Sequence, residues 1–352
     1  MKKIVLLVYT NYSTFVAKDE EILKKKFDVI TYEFHSQKKF SLMLLELLKL
    51  KLFILINIWR IDIVYSWFAD FHSLIPFLFA RLLGKKTVVI VGGFDAVAIP
   101  ELKYGLFYKK DIRQRIGVWT YKLSNYILPV DDSLIDSVNN YADPKGLKVG
   151  VKAYVPGLKA IIKSIPTGYN PDNWIVKERI RKPGVIAFGY AGNMQKFIGK
   201  GYDFIIEVAK KMPEVEFYLI SIKGKMNDYA RSIATDNITI TDSLSQEKLL
   251  EELSKYKVYT LLSMSEGLPS SLCEAMLCGC VPVASNVGGI KRVMGECGFL
   301  LENKNVDEAV KLIKKALATE PGFAKCGRER ISEMFSIERR EKELFEILLS
   351  NP

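Results

Sequence analysis

Two glutamates, Glu266 and Glu274, lie on either side of a predicted helix start. The run Ser271 to Glu274, SLCE, fits a capping box, so a helix is expected to begin near Ser270 or Ser271. Gly279 follows the apolar part of this helix and is expected to end it as a C′ glycine. Glu266 would then precede the helix and Glu274 would lie about one turn into it, so both carboxylates can flank one ligand.

The chemistry that these residues favour is the binding of a phosphorylated sugar. The N–H groups in the first turn of a helix have no intrahelical partner and, together with the helix dipole, they suit a phosphate. An ionised carboxylate binds vicinal sugar hydroxyls strongly because it accepts from two O–H groups. The stretch therefore predicts a site for a nucleotide-sugar. The alternative is that Glu274 only caps its own helix and Glu266 is a solvated turn residue.

A second candidate is the loop Ala191 to Gly201, AGNMQKFIGKG, which follows a predicted strand. Gly192 permits a tight turn there. Lys200 stands directly before the next predicted helix, where its ammonium can contact a diphosphate. The alternative for Lys200 is an ordinary solvated lysine.

A third candidate is the loop Gly92-Gly93-Phe94-Asp95 in the first half of the chain. Its glycines allow close backbone approach, and Asp95 can accept hydrogen bonds from a sugar. The alternative is a tight turn with no ligand. His35 and His72 are the only histidines, and a structural role is favoured for both.

Both halves of the chain alternate predicted strands and helices, which is typical of parallel, doubly wound sheets. The first half has predicted strands at Ile4–Val8, Val29–Glu33, Ile61–Tyr65, Thr87–Val91, Tyr126–Pro129 and Ala160–Ile165. The second half has predicted strands at Val185–Tyr190, Glu216–Ser221, Ile238–Thr241, Val258–Leu262 and Val281–Ala284. Helices are expected near Tyr202–Lys211, Met226–Ala234, Gln246–Tyr256, Val306–Ala318 and Ile337–Leu349. Turn residues at Ile165 to Pro171 and the charged run Lys177 to Pro183 indicate a linker between the halves.

The second half resembles glycosyltransferase family 4. The resemblance rests on Glu266 and Glu274, separated by seven residues as in the family's Glu-x7-Glu signature, and then on Ala275-Met276, Gly279, Pro282-Val283 and Gly288-Gly289. It implies an α/β protein of the GT-B fold, with two Rossmann-like doubly wound domains facing across a cleft. Residues 1–168 would bind the acceptor and residues 169–334 the donor, with a final helix in 335–352 crossing back to the first domain.

The resemblance also implies roles for particular residues. Glu274 would hold the ribose of the donor, and Glu266 would hold hydroxyls of the transferred sugar, which Asp95 would also contact. Lys200-Gly201 matches a Lys-Gly pair of the family, whereas Asn193 stands where an arginine is usual, so that one diphosphate contact is either missing or moved to Lys196. The donor-binding set is then Glu274, Gly192, Asn193, Lys196, Gly267, Leu268, Pro269, Ser270, Ser271 and Leu272, with Gly288-Gly289 near the donor phosphate or serving only as a positive-φ turn.

Composition narrows the possible functions. A net charge of +11 favours anionic partners, namely nucleotide-sugars, anionic membranes or nucleic acid, but no nucleic-acid recognition motif occurs. There is no Asp-x-Asp motif, so the sequence predicts no metal and no cofactor besides the nucleotide-sugar. The resulting prediction is a retaining glycosyltransferase with a glycan or lipid-linked acceptor, used in surface polysaccharide or glycoconjugate synthesis. A sugar-nucleotide epimerase of the same fold is an alternative, and it would need placed acid and base groups.

Location is predicted from apolar segments and cysteines. Ile4 to Val8 is too short for a signal peptide, and five cysteines without paired Cys-x2-Cys motifs fit small buried side chains in a reducing cytoplasm. The segment Lys38 to Arg60 is apolar on every helical face apart from Glu46, Lys49 and Lys51. Such a helix is either buried or in contact with lipid; burial is favoured, and the alternative is peripheral contact with the inner face of an anionic membrane.

Overall fold

The computed structural model describes residues 2–37, 39–175, 181–320 and 322–350. The chain divides into two units. The first comprises Met1–Ser137, Lys148–Thr167 and Arg340–Pro352, and the second comprises Val138–Leu147 and Gly168–Arg339. The expected boundaries at 168 and 335 differ from this division in two places, because the short segment Val138–Leu147 belongs to the second unit and the chain rejoins the first unit at Arg340.

The first unit contains a six-stranded sheet in which neighbouring strands pair in parallel. Its strand order is β2-β1-β3-β4-β5-β8, and the innermost strands are buried apolar runs because helices cover both faces of such a sheet. The strands are β1 Ile4–Tyr9, β2 Asp28–Glu33, β3 Ile63–Trp67, β4 Lys86–Val91, β5 Tyr126–Pro129 and β8 Ile161–Ile162, with a separate pair β6 Ser137–Asn139 and β7 Leu147–Val149. The helices are α1 Thr14–Lys24, α2 Phe40–Asn57, α3 Phe71–Leu82, α4 Ile112–Leu123 and α5 Val151–Tyr154.

The second unit repeats this architecture in another strand order, β11-β10-β9-β12-β13-β14, again with parallel pairs. Its strands are β9 Lys182–Ala191, β10 Phe217–Ile222, β11 Ile238–Thr241, β12 Tyr256–Leu261, β13 Val281–Ser285 and β14 Phe299–Leu301. Its helices are α6 Met194–Gly199, α7 Tyr202–Lys210, α8 Lys225–Ile233, α9 Gln246–Lys255, α10 Ser270–Leu277, α11 Ile290–Met294, α12 Val306–Leu317 and α13 Phe323–Met334. The last helix of the chain is α14, Ile337–Leu349.

The two predicted parallel sheets are confirmed, although several elements differ from their predicted bounds. The strand predicted at Ala160–Ile165 is reduced to β8, and α13 was not predicted at all. Gly327 weakens the helical pattern of α13, and in the structure a Cβ there would come within 3.3 Å of Met276 Cε. Of the predicted linker Lys177 to Pro183, residues 177–180 lie outside the described residues.

Helix α14 is fixed to the first unit by buried charges. The guanidinium of Arg340 forms a two-pronged ion pair with the Asp19 carboxylate, at 2.6 Å (Nε to Oδ1) and 2.7 Å (Nη2 to Oδ2). Both side chains are almost fully buried, and Asp19 Oδ2 also accepts from Tyr65 Oη and Trp67 Nε1. Burial, and next the charge of Asp19, raise the pKa of Tyr65 well above its usual value. This cluster therefore attaches α14 to the strands and helices of the first unit.

The cysteines follow the prediction only in part. Cys273, Cys278 and Cys280 are buried and belong to no disulfide, as expected for small buried side chains. Cys297 and Cys326, in contrast, form a disulfide with their Cα atoms 5.5 Å apart. The disulfide connects the stretch before β14 to α13.

Helix α2 corrects the expectation that the segment from Lys38 to Arg60 is buried. Lys38 lies outside the described residues, and the rest of the segment forms a helix that buries only one side. Leu50, Ile54 and Ile58 are buried, whereas most of the other leucines of the helix are exposed. Within the described ranges, no helix is both long enough and apolar enough to cross a bilayer.

Candidate functional site

The predicted donor site lies where the strand order of the second sheet reverses. β9 is flanked by β10, which follows it in sequence, and by β12, which comes much later in the chain. Helices that leave such neighbouring strands diverge to opposite faces of the sheet, which opens a crevice at the carboxyl ends of the strands. The loops after β9 and β12 carry Lys200 and Glu266, so both lie at this edge.

Lys200 and Glu266 meet at this edge. Lys200 Nζ donates to Glu266 Oε1 at 2.7 Å, and the Glu266 side chain is only 10% exposed. Gly201 permits this approach because it has a φ of +75° and a Cβ there would lie 2.1 Å from the Leu262 carbonyl oxygen. The Met264 N–H donates to the Gly199 carbonyl at 2.9 Å, which ties the two loops together. The positions of Lys200 and Glu266 are thus set by backbone contacts.

Gly288 and Gly289 fix the backbone around Glu266. Gly288 has a φ of +53°, and a Cβ would lie 1.9 Å from the Glu266 carbonyl oxygen. The Gly289 N–H donates to the Gly267 carbonyl at 2.7 Å. Of the two interpretations for this pair, the structure therefore shows the positive-φ turn at Gly288, and it places that turn against the candidate site.

Helix α10 begins at Ser270, as predicted, but without the expected capping box. Pro269 occupies the N-cap position, no side chain caps the helix, and Ser271 lies inside the first turn. Ser271 cannot act as the N-cap because the helix has already begun at Ser270, and its Oγ accepts from Tyr259 Oη. The predicted end at Gly279 is confirmed: its N–H donates to the Met276 carbonyl and that of Cys280 donates to the Ala275 carbonyl, which is a Schellman motif.

Two tyrosines that sequence reasoning missed hold the serines of this first turn. Tyr259 Oη donates to Ser271 Oγ at 2.8 Å, and Tyr169 Oη donates to Ser270 Oγ at 3.1 Å. Burial raises the pKa of Tyr259 well above its usual value, and the charges of Glu266 and Glu274 act in the same direction. The charges of both glutamates thus raise the pKa of the same tyrosine hydroxyl. No sequence signal identified Tyr259, because it lies in an apolar strand.

The loop after β9 places the remaining polar candidates on α6. Asn193 is the N-cap, and its Oδ1 accepts from the Lys196 N–H at 2.9 Å. Lys196 Nζ lies 4.3 Å from the centroid of the Tyr190 ring, and burial followed by the charge of Lys200 lowers the pKa of Lys196. Gly192 has no room for a Cβ, which would lie 2.3 Å from Tyr190 Oη. Asn193 is therefore used as a helix cap, while Lys196 adds a second ammonium to this end of the sheet.

The apolar members of the predicted donor-binding set belong to the hydrophobic core of the second unit. Leu268, Pro269 and Leu272 are buried, and Leu272 is not exposed at all. Their side chains pack inward, so only their backbone groups remain to bind a ligand. Ser270 and Ser271 are partly exposed at the start of α10.

Asp95 lies in the first unit and does not have the predicted geometry. It is fully buried: Oδ1 accepts from the Gly92 and Gly93 N–H groups, and Oδ2 accepts from the Ala69 N–H and Tyr121 Oη. Burial raises the pKa of Asp95 to about 6 although these hydrogen bonds oppose the shift. Asp95 therefore stabilises the conformation of its own loop, because protein donors occupy both oxygens of its carboxylate.

The histidines show no acid or base arrangement. His72 is fully buried, with Nε2 2.8 Å from the Trp67 carbonyl oxygen, and burial lowers its pKa. His35 lies in the exposed stretch after β2. Neither is among the residues described around Lys200 and Glu266.

Sequence comparison finds glycosyltransferases. Residues 176–332 match the family model described as Glycosyl transferases group 1, which covers most of the second unit. An uncharacterized glycosyltransferase of Haemophilus influenzae is 30% identical over 153 residues, which are 40% of this chain and 42% of that protein. The chain thus spans less than half the length of this curated relative.

Structure comparison covers the whole chain. Sucrose-phosphate synthase from Thermosynechococcus elongatus has a TM-score of 0.72 at 12% identity, over 99% of this chain and 98% of that chain. Anabaena HepE, in a complex with UDP, has a TM-score of 0.71 at 15% identity, over 99% of this chain and 100% of that chain. These likenesses confirm the predicted fold class, GT-B with two Rossmann-like α/β domains.

Proposed function

We propose that this protein is a glycosyltransferase that moves a sugar from a nucleotide-sugar to an acceptor. The observation that carries the proposal is the meeting of Lys200, Glu266 and the start of α10 at the strand-order reversal of the second sheet. The match of this region to Glycosyl transferases group 1 supports it, as does the UDP bound to HepE, a protein of similar fold.

Each part of the site has a distinct task in this proposal. The diphosphate of the donor lies at the N-terminus of α10, where unpaired N–H groups and the helix dipole favour negative charge. Lys200 and Lys196 supply positive charge as the nucleoside diphosphate leaves. Glu274 binds the ribose, and Glu266 accepts from hydroxyls of the transferred sugar. Lys200 Nζ also donates to Glu266 Oε1, so this ammonium and this carboxylate are held in one site.

The proposal extends to features that follow from resemblance to family 4. Transfer proceeds with retention of configuration and without a metal or other cofactor. The acceptor is a glycan or a lipid-linked glycan bound by the first unit, in the synthesis of surface polysaccharide or glycoconjugate at the cytoplasmic face of a membrane. The direct test is an assay of transfer and hydrolysis with a panel of nucleotide-sugars, and the absence of both with every donor would refute the proposal.

Substitutions of the two glutamates are expected to have different effects on ligand affinity and on turnover. Glu274→Gln should weaken both the nucleoside diphosphate and the nucleotide-sugar by about 1–3 kcal/mol, because a charge-assisted hydrogen bond to ribose is lost. Glu266→Gln should leave the affinity for nucleoside diphosphate nearly unchanged and lower turnover, because its contact strengthens in the transition state. Calorimetry and steady-state kinetics measure the two effects.

Glu247→Gln is the matched control for the glutamates, since Glu247 is an exposed glutamate in the first turn of α9. It should change neither binding nor turnover, and all three variants should melt near the wild-type temperature. If both site variants bind and turn over like the control, Glu266 and Glu274 are structural residues and the donor site lies elsewhere.

Transfer is expected to continue in excess chelator. The sequence has no Asp-x-Asp motif, and Lys200 with the N-terminus of α10 provides positive potential where a metal would otherwise act. The rate should be compared before and after treatment with EDTA, with a metal-dependent transferase as the positive control. Activity that disappears in chelator and returns with added Mn²⁺ or Mg²⁺ would contradict this assignment.

A further inference from the structure

The outward half of α2 is an apolar surface. Eight large apolar side chains, spread from Leu42 to Trp59 along the helix and its 3₁₀ extension Ile58–Arg60, are between 44% and 73% exposed. They are Leu42, Leu44, Leu45, Leu48, Leu52, Leu55, Ile56 and Trp59. A monomeric soluble protein rarely exposes so many contiguous apolar groups unless they bind a partner or a membrane.

This surface continues onto the end of α3. Leu78, Leu82 and Leu83 are also exposed, Leu82 by 72%. Lys85, just after α3, donates from Nζ to the carbonyl oxygens of Trp59 and Ile61, so the C-terminal ends of α2 and α3 lie together. We call the exposed apolar residues of α2, its extension and the end of α3 the α2–α3 face.

The charges on the α2–α3 face all have one sign. Between residues 39 and 60 and between residues 71 and 85 the sequence contains one acidic residue, Glu46. Glu46 is buried on the inward side, and its Oε1 accepts from Lys49 Nζ at 2.8 Å. The exposed charged residues among the leucines and at their edges are Lys39, Lys49, Lys51, Arg60 and Arg81. The face therefore combines apolar area with positive charge.

We propose that the α2–α3 face docks on an anionic lipid surface, with α2 lying in the plane of the interface. Apolar side chains of such a helix enter the boundary between headgroups and acyl chains, while lysine and arginine reach the phosphates with their long side chains. Trp59 is the kind of residue that is enriched at this depth. Each basic residue near an anionic leaflet adds attraction that salt screens.

The positive charge of the α2–α3 face favours an anionic lipid surface, and not a second copy of the chain, as its partner. Two copies that paired through this face would bring five exposed basic residues of each chain together, and the one acidic residue of these segments, Glu46, is already paired with Lys49. Like charges at an interface oppose association, whereas the phosphates of anionic lipids complement them. The inference concerns lipid binding alone and stands independently of the proposed transfer reaction.

The test is sedimentation of the full chain with vesicles, in the absence of donor and acceptor. We expect binding to vesicles of phosphatidylcholine mixed with phosphatidylglycerol, weaker binding to phosphatidylcholine alone, and release by salt. The double variant Leu52→Gln/Ile56→Gln should lower the partition coefficient by at least about tenfold, because both side chains would enter the interface. Both are already exposed, so the variant should melt at the wild-type temperature.

The matched control is Ile161→Gln/Ile175→Gln, which changes two equally exposed isoleucines away from the face and should leave the partition coefficient unchanged. Equal recovery of wild type in the supernatant with and without vesicles would overturn the proposal, and so would equal losses in the two double variants. Sedimentation velocity without lipid gives a further check. A dimer that Leu52→Gln/Ile56→Gln dissociates would assign the face to a second copy instead. Because substrates are absent, none of these results depends on transferase activity.

Discussion

Lys200→Met is expected to lower turnover of the preferred nucleotide-sugar by about 10²–10³-fold, the usual effect of removing one group that stabilises developing charge. Methionine keeps the aliphatic part of the side chain, which lies near Gly189 in the wild-type protein. The substitution also leaves Glu266, whose side chain is only 10% exposed, without its ammonium partner. Steady-state kinetics with the wild type and the variant measure the effect.

A double variant shows whether the unpaired charge of Glu266 accounts for any stability that Lys200→Met loses. Lys200→Met/Glu266→Gln removes the unpaired charge, so it should recover any stability lost in Lys200→Met while its turnover remains low. The control is Lys210→Met on α7, where the lysine forms only a surface pair with Glu207. If Lys200→Met keeps turnover within about threefold of wild type, its ammonium does not stabilise the leaving group.

Arg340→Met should reduce the free energy of unfolding by about 3–5 kcal/mol, the largest stability effect that we expect from a single substitution in this chain. Asp19 would remain fully buried with only the hydrogen bonds from Tyr65 and Trp67. The Ile165 and Pro166 carbonyl oxygens would lose the donor that they share, Arg340 Nη1. The midpoint of urea unfolding, followed by circular dichroism, measures the change.

Two further variants define the origin of this loss. Lys342→Met changes an exposed residue of the same helix and should have little effect on the midpoint. Asp19→Asn/Arg340→Met should be more stable than Arg340→Met because no unpaired buried charge remains. A loss of only about 1 kcal/mol in Arg340→Met, as for a surface substitution, would show that the pair is not needed for the fold.

The sequence was informative about the candidate donor site because the residues concerned are local. Glu266, Ser270 and Glu274 belong to one strand, turn and helix, whose geometry follows from Gly267, Pro269 and Gly279. The lysine in the other loop could be placed nearby because both loops follow strands of one parallel sheet. The partners that fix these residues could not be predicted, since Tyr169 reaches Ser270 from 101 residues away in sequence and Tyr259 lies in the apolar strand β12.

The failed predictions share one physical cause, which is that burial depends on tertiary partners. The sequence shows that Asp95 follows two glycines, but only the structure shows that Ala69 and Tyr121 take up one of its oxygens. In α2 the apolar residues surround the whole helix, so periodicity could not indicate which half packs inward.

The ion pair between Asp19 and Arg340 cannot form during synthesis until Arg340 has been added to the chain. The partners are 321 residues apart, and at about 5–20 residues per second Arg340 is made roughly 15–60 s after Asp19. From the synthesis of β8, which ends at Ile162, until Arg340 is made, the nascent first unit has all six strands of its sheet but lacks the cation that neutralises Asp19. The buried ion pair of the first unit therefore forms only after the second unit, whose segments end at Arg339, has also been synthesised.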